Sequence, residues 1–139
     1  MMVNECRPRI AYYPYMPNAY IRFLNLIDAL DRINPGRSLD YIEIQLLEYI
    51  MQQDARKIPL LVGELIGLSH LGSQATLHGR LKNLSVLGYV KLVADKADAR
   101  KKSVIPTKLA IKYVQFMSDC LEKALKGIVT QSRSHKPSF

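Results

Sequence analysis

The sequence predicts a mainly α-helical fold that carries one small β-hairpin. Apolar residues recur at helical spacing over most of the 139 residues, and after Gly88 this spacing changes to the alternation of a strand. Two short helical segments joined by a glycine-containing turn come directly before that change. With 48% hydrophobic and 23% charged residues, the chain is long and apolar enough to bury a core as one ordinary domain.

Three regions are predicted along the chain. Residues 1–17 contain Pro8, Pro14 and Pro17, which exclude a continuous helix, so we expect an extended arm there. Residues 18–129 are expected to form a single domain, with its core in residues 38–107. Residues 130–139 are polar and are expected to form a flexible tail.

Five helices are predicted in the central region, at about residues 18–34, 38–53, 61–69, 73–88 and 107–129. Asn18, Ser38 and Ser73 are the predicted N-caps, because their short polar side chains can accept a hydrogen bond from a free backbone N–H. Gly88 is predicted to end the fourth helix in a left-handed turn.

The third and fourth helices and the hairpin form one predicted unit, from about Leu61 to Thr107. Two short helices joined by the turn at residues 70–72 make a helix-turn-helix, whose second helix enters the major groove of DNA. The hairpin is then a wing, with strands near Val90 and Val104 and a charged tip at residues 94–102. The predicted fold class is therefore a winged helix-turn-helix with flanking N- and C-terminal dimerisation helices.

Positive charge is concentrated in the second half of the chain. Residues 1–79 carry 7 Lys or Arg and 8 Asp or Glu, and residues 80–139 carry 13 and 4, so the net charges are −1 and +9. Lysines and arginines that neutralise phosphates release condensed counterions, and this asymmetry therefore favours a polyanionic partner such as nucleic acid. A solvated basic surface without a partner is the alternative interpretation.

Three segments resemble the MarR-type family of transcriptional regulators. The run Leu84-Ser85-Val86-Leu87-Gly88-Tyr89-Val90 is similar to the family's recognition-helix end and first wing strand. Asp95, Asp98 and Arg100, followed by Val104-Ile105-Pro106-Thr107, are similar to its D-x-x-D-x-R…V-x-L-T pattern. Val62-Gly63-Glu64-Leu65 looks like its V-S-E-L helix entry. The resemblance covers about residues 38 to 114, and the wing is its most specific part.

The resemblance implies a homodimer that binds near-palindromic double-stranded DNA, and a ligand, which the sequence does not identify, that loosens this binding. It also implies that Arg100 enters the minor groove, braced by Asp95 or Asp98. An ordinary solvated hairpin tip is the alternative for these three residues. Lys101 and Lys102 extend the basic tip and are further candidates for DNA contact.

The outward face of the fourth helix supplies the other candidate DNA contacts. Leu77, Leu81 and Leu84 define its buried side at 100° per residue. Base-edge and phosphate contacts are then assigned to Ser73, Gln74, Thr76, His78, Lys82 and Asn83. Ala75 and Gly79 stand where long side chains are expected, which favours the second hypothesis, a protein-interaction or assembly module without sequence-specific DNA binding.

Other classes of function receive little support from the sequence. It has no GxGxxG, GxxxxGK or HExxH motif, and its histidines do not cluster with carboxylates at ligand spacing, so we expect neither an enzyme nor a metal or cofactor site. Cys6 and Cys120 are interpreted as idle thiols, with redox sensing by Cys120 as the alternative. Without a membrane span or secretory signal, a cytoplasmic protein is expected.

Overall fold

The computed structural model describes residues 18–129, and its elements match the predicted types and order. They are α1 (Ala19–Ala29), a 3₁₀ turn (Asp31–Ile33), α2 (Tyr41–Ala55), α3 (Val62–Ile66), α4 (Gln74–Leu87), β1 (Val90–Ala94), β2 (Lys102–Pro106) and α5 (Lys108–Leu125). The predicted fold class, mainly helical with a hairpin after the recognition helix and flanking helices α1 and α5, is confirmed. The predicted arm at 1–17 and tail at 130–139 lie outside the described residues.

The described residues fall into two compact units, 18–37 with 113–129 and 38–112. In the first unit, α1 packs on the later part of α5, where Leu26, Cys120 and Ala124 are buried together. The Nε of Arg22 also donates to the Ala124 carbonyl at 2.8 Å. A single domain over residues 18–129 stays a prediction.

The second unit holds α2, α3, α4 and the hairpin. Buried leucines of the three helices contribute to its core: Leu46, Leu47, Leu65, Leu77, Leu81 and Leu84. Strands β1 and β2 are antiparallel, with Val90 opposite Pro106 and Ala94 opposite Lys102. On the other side of β2, the Val104 N–H donates to the Leu60 carbonyl at 2.9 Å. The hairpin is therefore fixed to the segment that leads into α3.

Thr107 closes the hairpin and begins α5. Its hydroxyl donates to the Gly88 carbonyl at 2.6 Å, and its backbone N–H donates to the Tyr89 carbonyl at 3.0 Å. Its hydroxyl oxygen accepts a hydrogen bond from the Leu109 N–H at 3.2 Å. One threonine thus joins the two ends of the wing and caps the first turn of the last helix.

The ends of α4 are confirmed, and the predicted starts of α1 and α2 need correction. The Ser73 hydroxyl accepts from the Thr76 N–H at 3.2 Å, and Gly88 has a φ of 94°. Asn18 precedes α1 but its side chain makes no capping hydrogen bond. The cap of α2 is Asp40 and not Ser38, because Asp40 forms a reciprocal capping box that satisfies two backbone N–H groups.

Two predicted helix ends are also wrong. Helix α1 ends at Ala29 and a 3₁₀ turn follows, where one helix to residue 34 was predicted. Helix α3 ends at Ile66 rather than Ser69, because Gly67 follows and glycine loses the most backbone entropy in a helix. The turn before α4 is consequently longer than the three residues predicted.

Helix α5 buries one apolar face, and much of the apolar stripe that the sequence predicts lies beside that face. The buried positions are Ala110, Tyr113, Cys120 and Ala124. Helical spacing in the sequence predicts one stripe, at Ala110, Val114, Met117, Leu121, Leu125 and Ile128. Ala110 is buried and Met117 and Ile128 are half-buried, whereas Val114, Leu121 and Leu125 are 39%, 49% and 66% exposed. Periodicity locates an apolar face on a helix but does not identify what covers it.

Helix α2 ends with a lysine in a left-handed conformation. The Lys57 N–H donates to the Asp54 carbonyl at 2.9 Å, the Ile58 N–H donates to the Gln53 carbonyl at 3.0 Å, and Lys57 has a φ of 59°. This is the Schellman pattern, which usually holds glycine because a Cβ costs about 1–2 kcal/mol in this region. Helix α4 ends in the same pattern, with Gly88 in the left-handed position.

We predict that Lys57→Gly raises the free energy of unfolding by about 1 kcal/mol, because glycine removes the left-handed penalty. Gly88→Ala is the matched control, and it should lower the same quantity by about 1 kcal/mol or more. Urea denaturation measures both. A Lys57→Gly protein no more stable than the original would show that the lysine side chain compensates for its backbone.

Candidate nucleic-acid interface

Helix α4 has a buried face and an open face, as its sequence predicts. Leu77, Leu81 and Leu84 are at most 1% exposed. Away from this face, the exposed residues are Gln74, Ala75, His78, Gly79, Lys82, Asn83 and Val86. A Cβ built on Gly79 would meet nothing within 4 Å, so this side of the helix is unobstructed within the described residues.

The first turn of α4 is held by its own hydroxyl groups. The Ser73 hydroxyl donates to Thr76 Oγ1 at 2.9 Å and accepts from the Thr76 backbone N–H at 3.2 Å. Thr76 is consequently half-buried and fixed, whereas Gln74 and His78 point outward from the same turns. Of the predicted contact residues in this half of the helix, the exposed ones are Ser73, Gln74 and His78.

Asn83 is bonded to α2. Its side-chain nitrogen donates to Glu43 Oε2 at 2.6 Å. Glu43 is the polar residue that the fold buries, at 3% exposed, and its other oxygen accepts from the Asp40 N–H at 3.0 Å. Asn83 is exposed, but its amide nitrogen satisfies a buried side chain, which leaves less of the amide for a base.

Arg80 makes a second link between the same two helices, and the sequence did not single it out. Its Nε lies 3.1 Å from Asp40 Oδ2, and both side chains are almost half exposed. Asp40 Oδ1 accepts the capping hydrogen bond from the Glu43 N–H at 2.8 Å. The signal that could have found this link is spacing, because Asp40 and Glu43 stand three residues apart, as Arg80 and Asn83 do.

The two predicted acids of the wing tip have different roles. Asp95 accepts from the Asp98 N–H at 3.2 Å, and its own N–H donates to the Lys101 carbonyl at 2.8 Å, so it shapes the loop. Asp98 holds Arg100 by accepting from its backbone N–H and from its Nε, both at 3.1 Å. The residue that braces the arginine is therefore Asp98.

Arg100 is available to a partner. Its side chain is 91% exposed although its Nε is bonded to Asp98. The hydrogen bond from the Arg100 side chain, followed by that from its backbone, lowers the pKa of Asp98 below the usual range. The brace is thus ionised at neutral pH. Other exposed cations of the wing are Lys91, Lys96, Lys101 and Lys102.

The described residues give little support to redox sensing, metal binding or membrane insertion. Burial raises the pKa of the Cys120 thiol, and Cys120 is 1% exposed, so it is poorly placed to sense oxidants. Residues 18–129 contain no group of three side chains able to hold a metal ion. No helix in this range is long and apolar enough to cross a bilayer.

Several solved transcriptional regulators share this fold. Tm0710 of Thermotoga maritima has a TM-score of 0.58 at 19% identity, covering 77% of this chain and 69% of that one. S. aureus MepR, solved in complex with DNA, has a TM-score of 0.56 at 18% identity, covering 74% and 77%. Heme-free PefR of Streptococcus agalactiae has a TM-score of 0.55 at 17% identity, covering 73% and 84%.

These structural neighbours are MarR-family regulators, as the wing motif suggested. No protein-family model matches the sequence, and no curated protein sequence matches it either. Identities below 20% establish a shared fold and not a shared ligand or operator. The chain therefore has the MarR-like winged helix-turn-helix fold of these non-enzymatic regulators.

Proposed function

We propose that this protein is a transcriptional regulator that binds duplex DNA as a homodimer, through α4 and wing residues 94–102. The observation that carries the proposal is Arg100, fully presented to solvent at a basic tip and held in place by Asp98. Narrow minor grooves attract arginine, and an arginine fixed before binding loses less side-chain entropy. Lys101 and Lys102, exposed beside it, are suited to phosphates.

Helix α4 supplies the major-groove contacts in this proposal. Gln74 and His78 are exposed on the N-terminal half and can read base edges, and Lys82 can reach a phosphate. Ser73 and Thr76 serve through the helix start, whose N–H groups favour an anion. We remove Asn83 from the readers, because its amide is bonded to Glu43.

Base readout by this helix is expected to be sparse. Ala75 and Gly79 occupy the centre of the open face, where they offer no hydrogen-bonding group. Ala75 can contact a thymine methyl, and the absence of a side chain at Gly79 lets the helix approach the groove closely. Phosphate contacts and groove shape therefore supply most of the affinity in this account.

Dimerisation is proposed through the terminal helices. Within the first unit, Leu121 and Leu125 of α5 and Tyr20, Ile21 and Leu24 of α1 are 41–66% exposed. Large apolar side chains at this density favour burial against a partner. Packing of both helices on their own chain alone is the alternative, and the exposure of Leu121 and Leu125 argues against it.

A protein-interaction module remains the second candidate, and one observation favours it. Val86 and Leu87, at the end of α4, are 74% and 41% exposed, and they continue the small-residue strip of Ala75 and Gly79. An apolar strip of this kind suits a protein surface better than a phosphate backbone. The concentration of cations in residues 80–139 opposes this reading.

Fluorescence anisotropy on mixed-sequence duplex DNA at two salt concentrations tests the proposal. We expect binding that weakens steeply as salt rises, with a non-specific Kd of about 10⁻⁴–10⁻⁶ M near physiological salt. Arg100→Ala should weaken binding to A·T-rich duplexes more than to G·C-rich ones. Lys96→Ala, which removes a neighbouring charge, should weaken both equally. No binding even at low salt would favour the protein-interaction module.

A second prediction concerns Asn83. Asn83→Ala should lower the free energy of unfolding by about 1–3 kcal/mol, because it leaves a buried oxygen of Glu43 without a donor. Lys82→Ala, an exposed neighbour on the same helix, should change it by about 0.5 kcal/mol at most. Urea denaturation separates the two. If Asn83→Ala left the stability unchanged and weakened DNA binding, Asn83 would be assigned again to contact with a DNA base.

A third prediction concerns assembly. Light scattering at tens of micromolar (roughly the range that resolves a weak dimer) should give twice the 15.8 kDa of one chain. Replacing Leu121 and Leu125 by glutamate should give a folded monomer, because two charges cannot be buried in an apolar interface. Val86→Glu, at a residue that is 74% exposed but lies on α4, should stay dimeric. A monomeric original protein would contradict the proposed interface.

A further inference from the structure

We propose that Arg80 binds a phosphate of the DNA backbone and that Asp40 holds its guanidinium in position for this contact. The proposal rests on the DNA binding proposed above, and it adds a residue that the sequence pattern did not indicate. It starts from the 3.1 Å ion pair between Arg80 Nε and Asp40 Oδ2, in which the side chains are 45% and 42% exposed.

The ion pair with Asp40 leaves most N–H donors of Arg80 available. A guanidinium has five N–H donors, one on Nε and four on the two Nη nitrogens. The contact to Asp40 is made through Nε, and no other side-chain partner of Arg80 is found among residues 18–129. The Nη donors therefore lie on a half-exposed group, in the fork geometry that matches phosphate oxygens.

The position of Arg80 on α4 places these donors beside the proposed DNA face. Arg80 follows Thr76 by four residues, so the two share one side of the helix. Side chains on a helix lean toward its N-terminus, and Arg80 therefore reaches back along α4 toward the turn that holds Thr76. A cation at the margin of a groove-binding face is placed for the phosphates that flank the groove.

Asp40 is itself fixed, which makes it an effective brace. Its Oδ1 accepts the capping hydrogen bond from the Glu43 N–H at 2.8 Å, and Oδ2 remains for the arginine. The wing repeats this arrangement, because Asp98 Oδ1 accepts from the Arg100 backbone and also holds Arg100 Nε at 3.1 Å. In both pairs an aspartate anchored by a backbone N–H restrains an exposed arginine through Nε.

A purely structural ion pair between α2 and α4 is the competing explanation. Exposed pairs of this kind contribute about 0–1 kcal/mol to stability, so the loss of Arg80 leaves the protein folded. Each phosphate contact, by contrast, contributes about 0.9 to the slope of log K against log salt concentration. The salt dependence of DNA binding is thus a measurement that a structural role would not change.

The test compares the full chain with Arg80→Gln, which keeps a polar side chain but removes the charge. We expect the slope of log K against log salt to fall by about 0.9, so that the affinity deficit of the variant shrinks about 3.5-fold between 50 and 200 mM salt. Arg56→Gln is the matched control, since Arg56 is exposed at the opposite end of α2. It should leave the slope unchanged.

Two further variants test the brace. Arg80→Lys should keep the slope and weaken binding, because a lysine retains the charge but lacks the fork. Asn caps helices as well as Asp, so Asp40→Asn removes the ion pair and preserves α2. If Asp40 positions Arg80, Arg80→Gln costs less affinity in the Asp40→Asn background. If Asp40 merely neutralises Arg80, Arg80→Gln costs more affinity there, which overturns the positioning role.

The possible results distinguish failure of the Arg80 contact from failure of the proposed DNA binding. An original protein that binds no duplex DNA at either salt concentration overturns both. DNA binding with an Arg80→Gln slope equal to that of the original protein overturns the contact by Arg80 and leaves the proposed function standing. A reduced slope for Arg80→Gln, with Arg56→Gln unchanged, supports the phosphate contact.

Discussion

Two carboxylates at the start of α2 determine where α4 can sit, and the rest of the candidate interface depends on that placement. Asp40 and Glu43 each give one oxygen to the capping box and the other to a side chain of α4. The Glu43–Asn83 bond is part-buried and satisfies a glutamate that is 3% exposed, so an unpaired oxygen there would cost more than the exposed ion pair at Arg80 contributes. The Glu43–Asn83 bond therefore holds α4 against α2, and Arg80 of the exposed ion pair remains able to bind a phosphate.

In the wing, too, aspartates accept hydrogen bonds from backbone N–H groups, and one of them also binds an arginine. Asp95 and Asp98 satisfy the turn's own N–H groups, and Asp98 in addition holds Arg100. Thr107 closes the base of the hairpin through both its hydroxyl and its backbone. The charged tip thus extends from a base that is bonded to the end of α4, on Gly88, and to the segment before α3, on Leu60.

Both ends of α4 follow from the sequence, whereas the caps of α1 and α2 and the partners distant in sequence do not. Ser73 and Gly88 bound α4 because capping and a left-handed turn involve neighbouring residues. The bond between Asn83 and Glu43 could not be predicted, since the two residues lie 40 positions apart and the geometry of one helix cannot reveal a partner on another. The buried face of α5 could not be predicted either, because the predicted apolar stripe and the buried face lie side by side and periodicity supports either.

In the proposed interface, more side chains are suited to DNA phosphates and groove shape than to base edges, and this is the central claim. Selection of bound sequences from random duplex DNA tests it most directly, since one experiment reports binding, base preference and half-site spacing. We expect enrichment of A·T-rich sites with a few preferred bases, in two symmetric halves separated by about one helical turn of 10–10.5 base pairs or a multiple of it. Recovery of no DNA above background, or of a long motif that requires one base at most positions, would contradict this claim.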